Sequence, residues 1–169
     1  VPKSLWGKHC PVDAENTILL CNDPLLVRMD EHLILIDTGL GNKLTAKQKA
    51  IYRVGGEWNL PAALKALGYN REDVTHVILT HGDFDHAGGI AMLSDGGTLQ
   101  LTCPCAKHFL QKAEWEDVGN PHPRAKYIYL QDDFSLLHAG RNLELLDGDT
   151  VLRPGLTLRL SGGHTRGHQ

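Results

Sequence analysis

The sequence predicts an α/β protein in which strands and helices alternate and pack in layers. Three observations carry this. Short runs rich in Leu, Ile and Val recur along the chain, and two helix-forming stretches, residues 44–54 and 59–67, separate the early runs from the later ones. The run Val77-Ile78-Leu79 then gives way at once to Thr80-His81-Gly82-Asp83-Phe84-Asp85-His86, so polar residues begin where a buried strand should end.

Residues 1–16 mix Pro, Trp, Lys and His without periodicity and read as a lead-in, with no role for Trp6 or His9. Residues 17–21 and 25–29 read as strands around the turn Asn22-Asp23-Pro24. Asp30-Glu31 turns the chain into a third strand at 32–36, a meander that opens a sheet. Residues 44–54 are helical by composition. Asn59 can cap a second helix, with Pro61 in its first turn, Gly68 as its stop and Leu60, Ala63, Leu64 and Leu67 as its apolar stripe. A strand at 75–80 follows, then a helix over 87–93, the turn Gly96-Gly97, a strand at 98–102 and a helix at 104–116. Two prolines break the chain within 119–124. Residues 127–130 read as a strand, and 131–140 as a loop whose Phe134, Leu136, Leu137 and His138 either wall a pocket or fill a core. Strands at 142–146 and 156–160 close the order, with Asp147-Gly148-Asp149 and Arg153-Pro154-Gly155 as turns. His108 and His122 lack an acidic or histidine neighbour at ligand spacing and read as surface residues.

His81, Asp83, Asp85 and His86 are the inventory of a metal site. In extended backbone, side chains two apart share a face, so His81, Asp83 and Asp85 can converge while Phe84 points into packing and His86 joins from the turn. Gathering carboxylates and imidazoles at the end of an apolar strand costs desolvation unless a cation compensates. Gly88 and Gly89 permit close backbone approach beneath the site.

These residues resemble the signature of the metallo-β-lactamase superfamily, His-x-His-x-Asp-His after a strand, preceded by Thr and followed by a small residue and Gly-Gly. Thr80 to Gly89 match it except that Asp83 stands where the family has its second His. Gly163-His164-Thr165-Arg166-Gly167-His168 resembles the family's Gly-His-Thr-x-Gly-His segment, and Asp37-Thr38-Gly39 resembles a loop whose Asp lies near the metal floor, a turn-forming Asp being the other reading. The resemblance implies an α-β-β-α sandwich, with His81, Asp83 and His164 on one divalent metal and Asp85 with His86 on a second. His168 lines the pocket outside the direct ligands. It further implies zinc, a hydroxide bridging the metals and oriented by Asp85, and hydrolysis of a small ester or lactone in the manner of the lactonase-like branch, while the hard oxygen of Asp83 moves its site toward manganese or iron as the alternative. β-Lactam, thioester and phosphodiester hydrolysis use the same ligands. An acidic second ligand also occurs in the flavodiiron oxidoreductases of the superfamily, and a metal-binding partner without catalysis is a third class.

Family members place a bridging Asp and a final His beyond the Gly-His-Thr-x-Gly-His segment, whereas this sequence ends at Gln169. The expectation is therefore a single partial domain over residues 1–169, roughly the first half of the sandwich, with its C-terminal part absent. Its second metal shell would be incomplete, and an apolar sheet face would be left for that remainder or for a second copy of the chain to cover. A formal charge of −3 and 17 basic against 20 acidic residues give no bulk attraction to nucleic acid or anionic lipid. No stretch is apolar for long enough to span a membrane. Cys10 and Cys21 are isolated, and Cys103-Pro104-Cys105 fits neither a zinc knuckle nor a thioredoxin motif, so the cysteines read as reduced and the protein as cytoplasmic.

Overall fold

The computed structural model describes residues 2–138 and 140–169. Its elements run α1 (Lys3–Trp6), β1 (Leu25–Met29), β2 (His32–Ile36), α2 (Ala46–Tyr52), α3 (Leu60–Ala66), β3 (His76–Ile78), α4 (Phe84–Ala87), β4 (Ala91–Leu93) and β5 (Leu99–Leu101). They continue with β6 (Lys107–Gln111), α5 (Lys112–Gly119), α6 (Gln131–Phe134), β7 (Leu143–Leu146), β8 (Thr150–Arg153) and β9 (Leu156–Leu158). The main sheet has the order β1-β2-β3-β6-β7, with β1 antiparallel to β2 and the remaining pairs parallel. β4-β5 and β8-β9 are separate antiparallel hairpins. Among the described residues no helix is long and apolar enough to cross a membrane, and all four cysteines are free thiols.

A sheet of parallel strands covered on both faces needs apolar residues at consecutive positions, which is why β2 and β3 carry unbroken runs. Leu33, Leu35, Val77, Leu79 and Leu110 face one core, shared with Leu60 and Leu64 of α3 and with Val118, Tyr129, Phe134 and Leu137. Ile34, Ile78, Phe109 and Leu146 face the other, closed by Leu158 of β9 with Leu152 and Leu156 beside it. The β8-β9 hairpin thus covers the centre of the face expected to lie bare. Leu25, in phase with Val27 and Met29 on that face, remains exposed.

Several elements depart from the sequence reading. Residues 17–21 form no strand, and Ile18, Leu19 and Leu20 are exposed. The helix expected over 87–93 is instead the single turn α4, which starts three residues earlier, and β4 occupies Ala91–Leu93. Residues 104–116 divide into the interior strand β6 and the start of the helix α5. The ladders to β3 and β7 outweigh the helical propensity of Lys107, Leu110 and Gln111. Residues 127–130 are a turn, with Tyr129 in the core. The loop over 131–140 begins as α6, and Ala139 lies outside the described residues. β8, between the two turns, was not anticipated. Within α3 only Leu60 and Leu64 are buried, while Ala63 and Leu67 face out. Thr45 caps α2 with a reciprocal Gln48 capping box, whereas Asn59 makes no side-chain cap for α3. His108 is 1 % exposed in β6, and burial pushes its pKa down to about 4, so it sits in the core as a neutral ring.

Candidate metal centre

The centre lies where β2 and β3 end, at the C-terminal edge of the parallel strands. Asp37 leaves β2 with φ 57°, a left-handed turn that aims its carboxylate across to the end of β3. The carboxylate accepts the Thr80 N–H at 2.7 Å, the Thr80 hydroxyl at 2.8 Å and His86 Nδ1–H at 2.8 Å. The Thr80 hydroxyl, its proton given to Asp37, accepts His81 Nδ1–H at 2.9 Å. One carboxylate therefore sets the tautomer of both imidazoles, directly for His86 and through Thr80 for His81, and leaves each Nε2 with its lone pair free. Of the two readings of Asp37, turn former or floor of the site, the contacts give it both roles.

His81, Asp83 and His164 are brought together, with one ligand atom from each lying within 4.8 Å of the others. Asp83 Oδ2 stands 3.2 Å from His164 Nε2 and 3.5 Å from His81 Nε2. His81 is 2 % exposed, yet its Nε2 has no hydrogen-bond partner. An imidazole nitrogen buried without a partner is costly, and a divalent cation held between His81, Asp83 and His164 is the species that would satisfy it. Those residues fit a metal.

The other signature residues form a second, more open group. His86 Nε2 is 3.7 Å from Asp85 Oδ2, and the His81 and His86 ring centroids are 4.2 Å apart. Alternation does not deliver Asp85, because the chain turns into α4 at Phe84. Asp85 reaches the site from the first turn of that helix, with its side chain 42 % exposed. Nor does Phe84 enter the core; it is half-buried, with its ring 4.5 Å from that of Tyr52 on α2. His168 takes no place beside Asp83. Its Nδ1 meets Ser161 Oγ at 2.6 Å, and its ring lies 5.2 Å from that of His81.

Burial pushes the Asp83 carboxyl up, but the adjacent imidazoles, His81 foremost and then His164, outweigh this and hold it below the usual carboxylate range. The hydrogen bond from His86 to Asp37 raises His86 above its ordinary 6.5, against a smaller opposing effect of burial. Burial lowers His168, helped by the nearby His81 and His164. His86 gives a testable sign. Its folded value is raised, so the stability from the His86–Asp37 pair in metal-free protein is fully present below the unfolded value near 6.5 and is lost as pH rises through the folded value. The urea midpoint of metal-stripped protein should therefore fall across that window, and His86→Ala should remove this component; an unchanged slope in the variant would assign the dependence to another group. Any cation taken up by His86 would run the other way, tightening as the proton leaves.

The two arms of the centre meet on residues with no metal-site signal in the sequence. Glu114 of α5 is fully buried, at 0 % exposure. Its Oε1 accepts the Gly82 N–H at 2.8 Å and the Tyr129 hydroxyl at 3.3 Å, and its Oε2 accepts the Thr165 hydroxyl at 2.5 Å and the Gly167 N–H at 3.2 Å. Gln169 donates its backbone N–H to Thr80 O at 2.9 Å and its amide to Leu79 O at 2.8 Å, while Gln111 donates to Gln169 Oε1 at 2.9 Å. Its position directly after the Gly-His-Thr-Arg-Gly-His segment was the available cue for Gln169; Glu114, one acidic residue among several in a helix-forming stretch, offered none. Gly88 and Gly89 do cross tightly under the site. A Cβ at Gly88 would stand 2.7 Å from the carbonyl carbon of Leu40, and one at Gly89 2.9 Å from that of Thr38. In the loop over 131–140 Phe134 and Leu137 enter the core, Leu136 and His138 line a cleft apart from the metal-site residues, and Gln131, Asp132 and Asp133 line a 350 Å³ cleft with Lys43, Thr45 and Gln48. A larger cleft of 470 Å³, lined by Lys107, His138 and Arg141 among others, lies at the opposite end of β6 from Gln111 and holds none of the metal-site residues.

This chain is similar to several known proteins. A probable metallo-hydrolase of Mycobacterium tuberculosis is 32% identical over 93% of this chain and 53% of its own length. The crystal structure of a probable metal-dependent hydrolase from Staphylococcus aureus superposes with a TM-score of 0.89 at 30% identity, covering 99% of this chain and 59% of that one. AidC, a dizinc quorum-quenching lactonase in complex with a product, N-hexanoyl-L-homoserine, superposes with a TM-score of 0.62 at 26% identity, over 86% of this chain and 49% of that one. The chain thus spans about half the length of the curated relatives it matches. The family model described as the metallo-beta-lactamase superfamily matches residues 22–169, and the chain belongs to that superfamily.

Proposed function

We propose that this chain is the metal-binding part of a hydrolase acting on a small ester or lactone. The observation that carries the reading is the buried, unpartnered Nε2 of His81 beside Asp83 and His164. His81, Asp83 and His164 would hold one divalent cation, with Asp85 and His86 contributing to a second. When bound, such cations supply Lewis acidity toward a carbonyl oxygen and lower the pKa of water, so no serine or cysteine nucleophile is needed. The chain's own residues do the rest. Asp37 and Thr80 hold both imidazoles with Nε2 free, Asp85 offers an exposed carboxylate as proton acceptor, and Phe84 with Tyr52 presents an aromatic wall beside it. Zinc and a lactone substrate are supported by the dizinc lactonase among the structural neighbours. On this reading the remaining ligands of the second cation belong to sequence that the relatives have and these 169 residues do not.

A second reading has one specific observation behind it. Asp83 puts a hard oxygen where the superfamily signature has imidazole, which shifts the site toward manganese or iron and toward the flavodiiron-like oxidoreductases. Metal content of the purified chain, followed by turnover of a lactone, thioester, β-lactam and phosphodiester panel by the chain alone and with the remainder of a relative's domain supplied, tests both. Lactone turnover should appear with the remainder present. Turnover of none of the four by the metal-loaded longer protein would sink the hydrolase reading. Asp83→His should raise the preference for zinc over manganese, and an unchanged preference would show that Asp83 is not a direct ligand.

A further inference from the structure

We propose that Glu114 is the positioning residue that sets the separation of the two arms of the metal centre. This rests on the cation reading of His81, Asp83 and His164. Glu114 touches none of the three. It acts on the backbone that carries them, and its two oxygens divide the work. Oε1 holds the N–H of Gly82, the residue between His81 and Asp83, and Oε2 holds the Thr165 hydroxyl and the Gly167 N–H, directly after His164. A rigid carboxylate thus spans from one arm to the other. Both arms carry glycine where they pass it. A Cβ at Gly82 would stand 3.2 Å from Glu114 Oε1, and one at Gly167 2.5 Å from Glu114 Cβ. Among the ion pairs of the described residues none involves Glu114, so its compensation comes from these hydrogen bonds alone. A buried carboxylate is expensive to keep, and isosteric apolar packing would serve α5 better if packing were its only purpose.

A second tether joins the same elements at the surface, where Arg166 donates to Asp117 at 2.7 and 3.0 Å. It fixes an exposed side chain and not the backbone of the arm, and exposed pairs contribute little. The two tethers can therefore be separated by substitution. Glu114→Gln keeps the shape but turns an amide toward one arm's donors, so one arm loses its acceptor.

The test is a Co²⁺ titration of the full chain against a competing chromophoric chelator, with the visible d–d spectrum recorded and the folded state checked by circular dichroism and urea midpoint. Glu114→Gln should weaken Co²⁺ about 10- to 100-fold, the range typical for groups that orient metal ligands, and should alter the d–d bands. Asp117→Asn should change affinity less than about 3-fold, as expected of an exposed pair. Unchanged affinity and spectrum in a folded Glu114→Gln protein would make Glu114 a structural residue only and overturn the proposal, as would an equal loss in Asp117→Asn. If Glu114→Gln does not fold, Thr165→Val removes a single donor from the closing arm. Weakening of Co²⁺ there supports the role, and an unchanged affinity overturns it. A parent chain that binds no Co²⁺ sinks the metal reading and this inference with it, an outcome distinct from a variant that binds as the parent does.

Discussion

His81→Ala is expected to abolish cation binding at the three-residue cluster while leaving the metal-free fold nearly as stable as the parent. The two halves of that statement have different causes. The ring supplies the most buried ligand of the cluster, and its loss should exceed the roughly 10- to 100-fold that changes around a ligand cost. In metal-free protein, however, the same ring buries an unpartnered Nε2, which costs about 1–3 kcal/mol, so the void left by Ala is offset by removal of that penalty. The net change in unfolding free energy should stay under about 2 kcal/mol. Metal titration and urea unfolding on the same preparation check both halves. A large loss of metal-free stability with metal binding retained would mean that His81 is a core histidine and not a ligand.

Gly41→Ala is expected to have the largest effect on folding. Gly41 has φ 69°, and a Cβ there would stand 2.6 Å from the carbonyl carbon of Gly88 and closer still to its oxygen. Neither partner can retreat, because Gly88 N–H is bonded to Phe84 O at 2.9 Å and Lys43 Nζ donates to Gly88 O at 2.5 Å. Lys43 is itself pinned to Asp133 at 2.9 Å and to Ala91 O. The left-handed conformation alone would cost about 1 kcal/mol, and the clash should take the total past about 4 kcal/mol, enough to unfold a marginal domain. Gly56→Ala is the control. Gly56 has φ 76° but nothing within 4 Å of the added carbon, so only the conformational part, about 1 kcal/mol, should appear. Similar urea midpoints for the two variants would show that the Gly41–Gly88 crossing can relax.

Strands β1, β2 and β3 and the metal signature were legible because each is a local pattern, whereas the apolar run at 17–21 forms no strand. His32–Ile36 and Val77-Ile78-Leu79 announce strands buried on both faces, and His81, Asp83, Asp85 and His86 stand within six positions. β6 was not legible. Lys107-His108-Phe109-Leu110-Gln111 has helix formers at three of its five positions and becomes a strand through its neighbours β3 and β7, a tertiary decision. The same holds for the site. Asp37 and His164 could be picked out by motif, but that Asp37 governs the tautomers of two imidazoles, or that Glu114 joins two arms, depends on contacts spanning 49 residues for His86–Asp37 and 51 for Thr165–Glu114. The strict alternation assumed for 81–85 failed because a one-turn helix begins at Phe84.

The docking of Gln169 on the end of β3 has a consequence for the order in which the molecule folds. Its side-chain bond to Leu79 O closes a loop of 90 residues, whereas the β1-β2 hairpin pairs residues three to eleven apart. Long closures are made late, since their entropy is lost before their contacts repay it. The sheet can therefore stand while the arm bearing His164 is still searching. A cation arriving then would meet His81 and Asp83 without His164, and its binding would favour the docked arm. Metal in this chain would act less as a nucleus for the sheet than as a latch that holds the His164 arm against it.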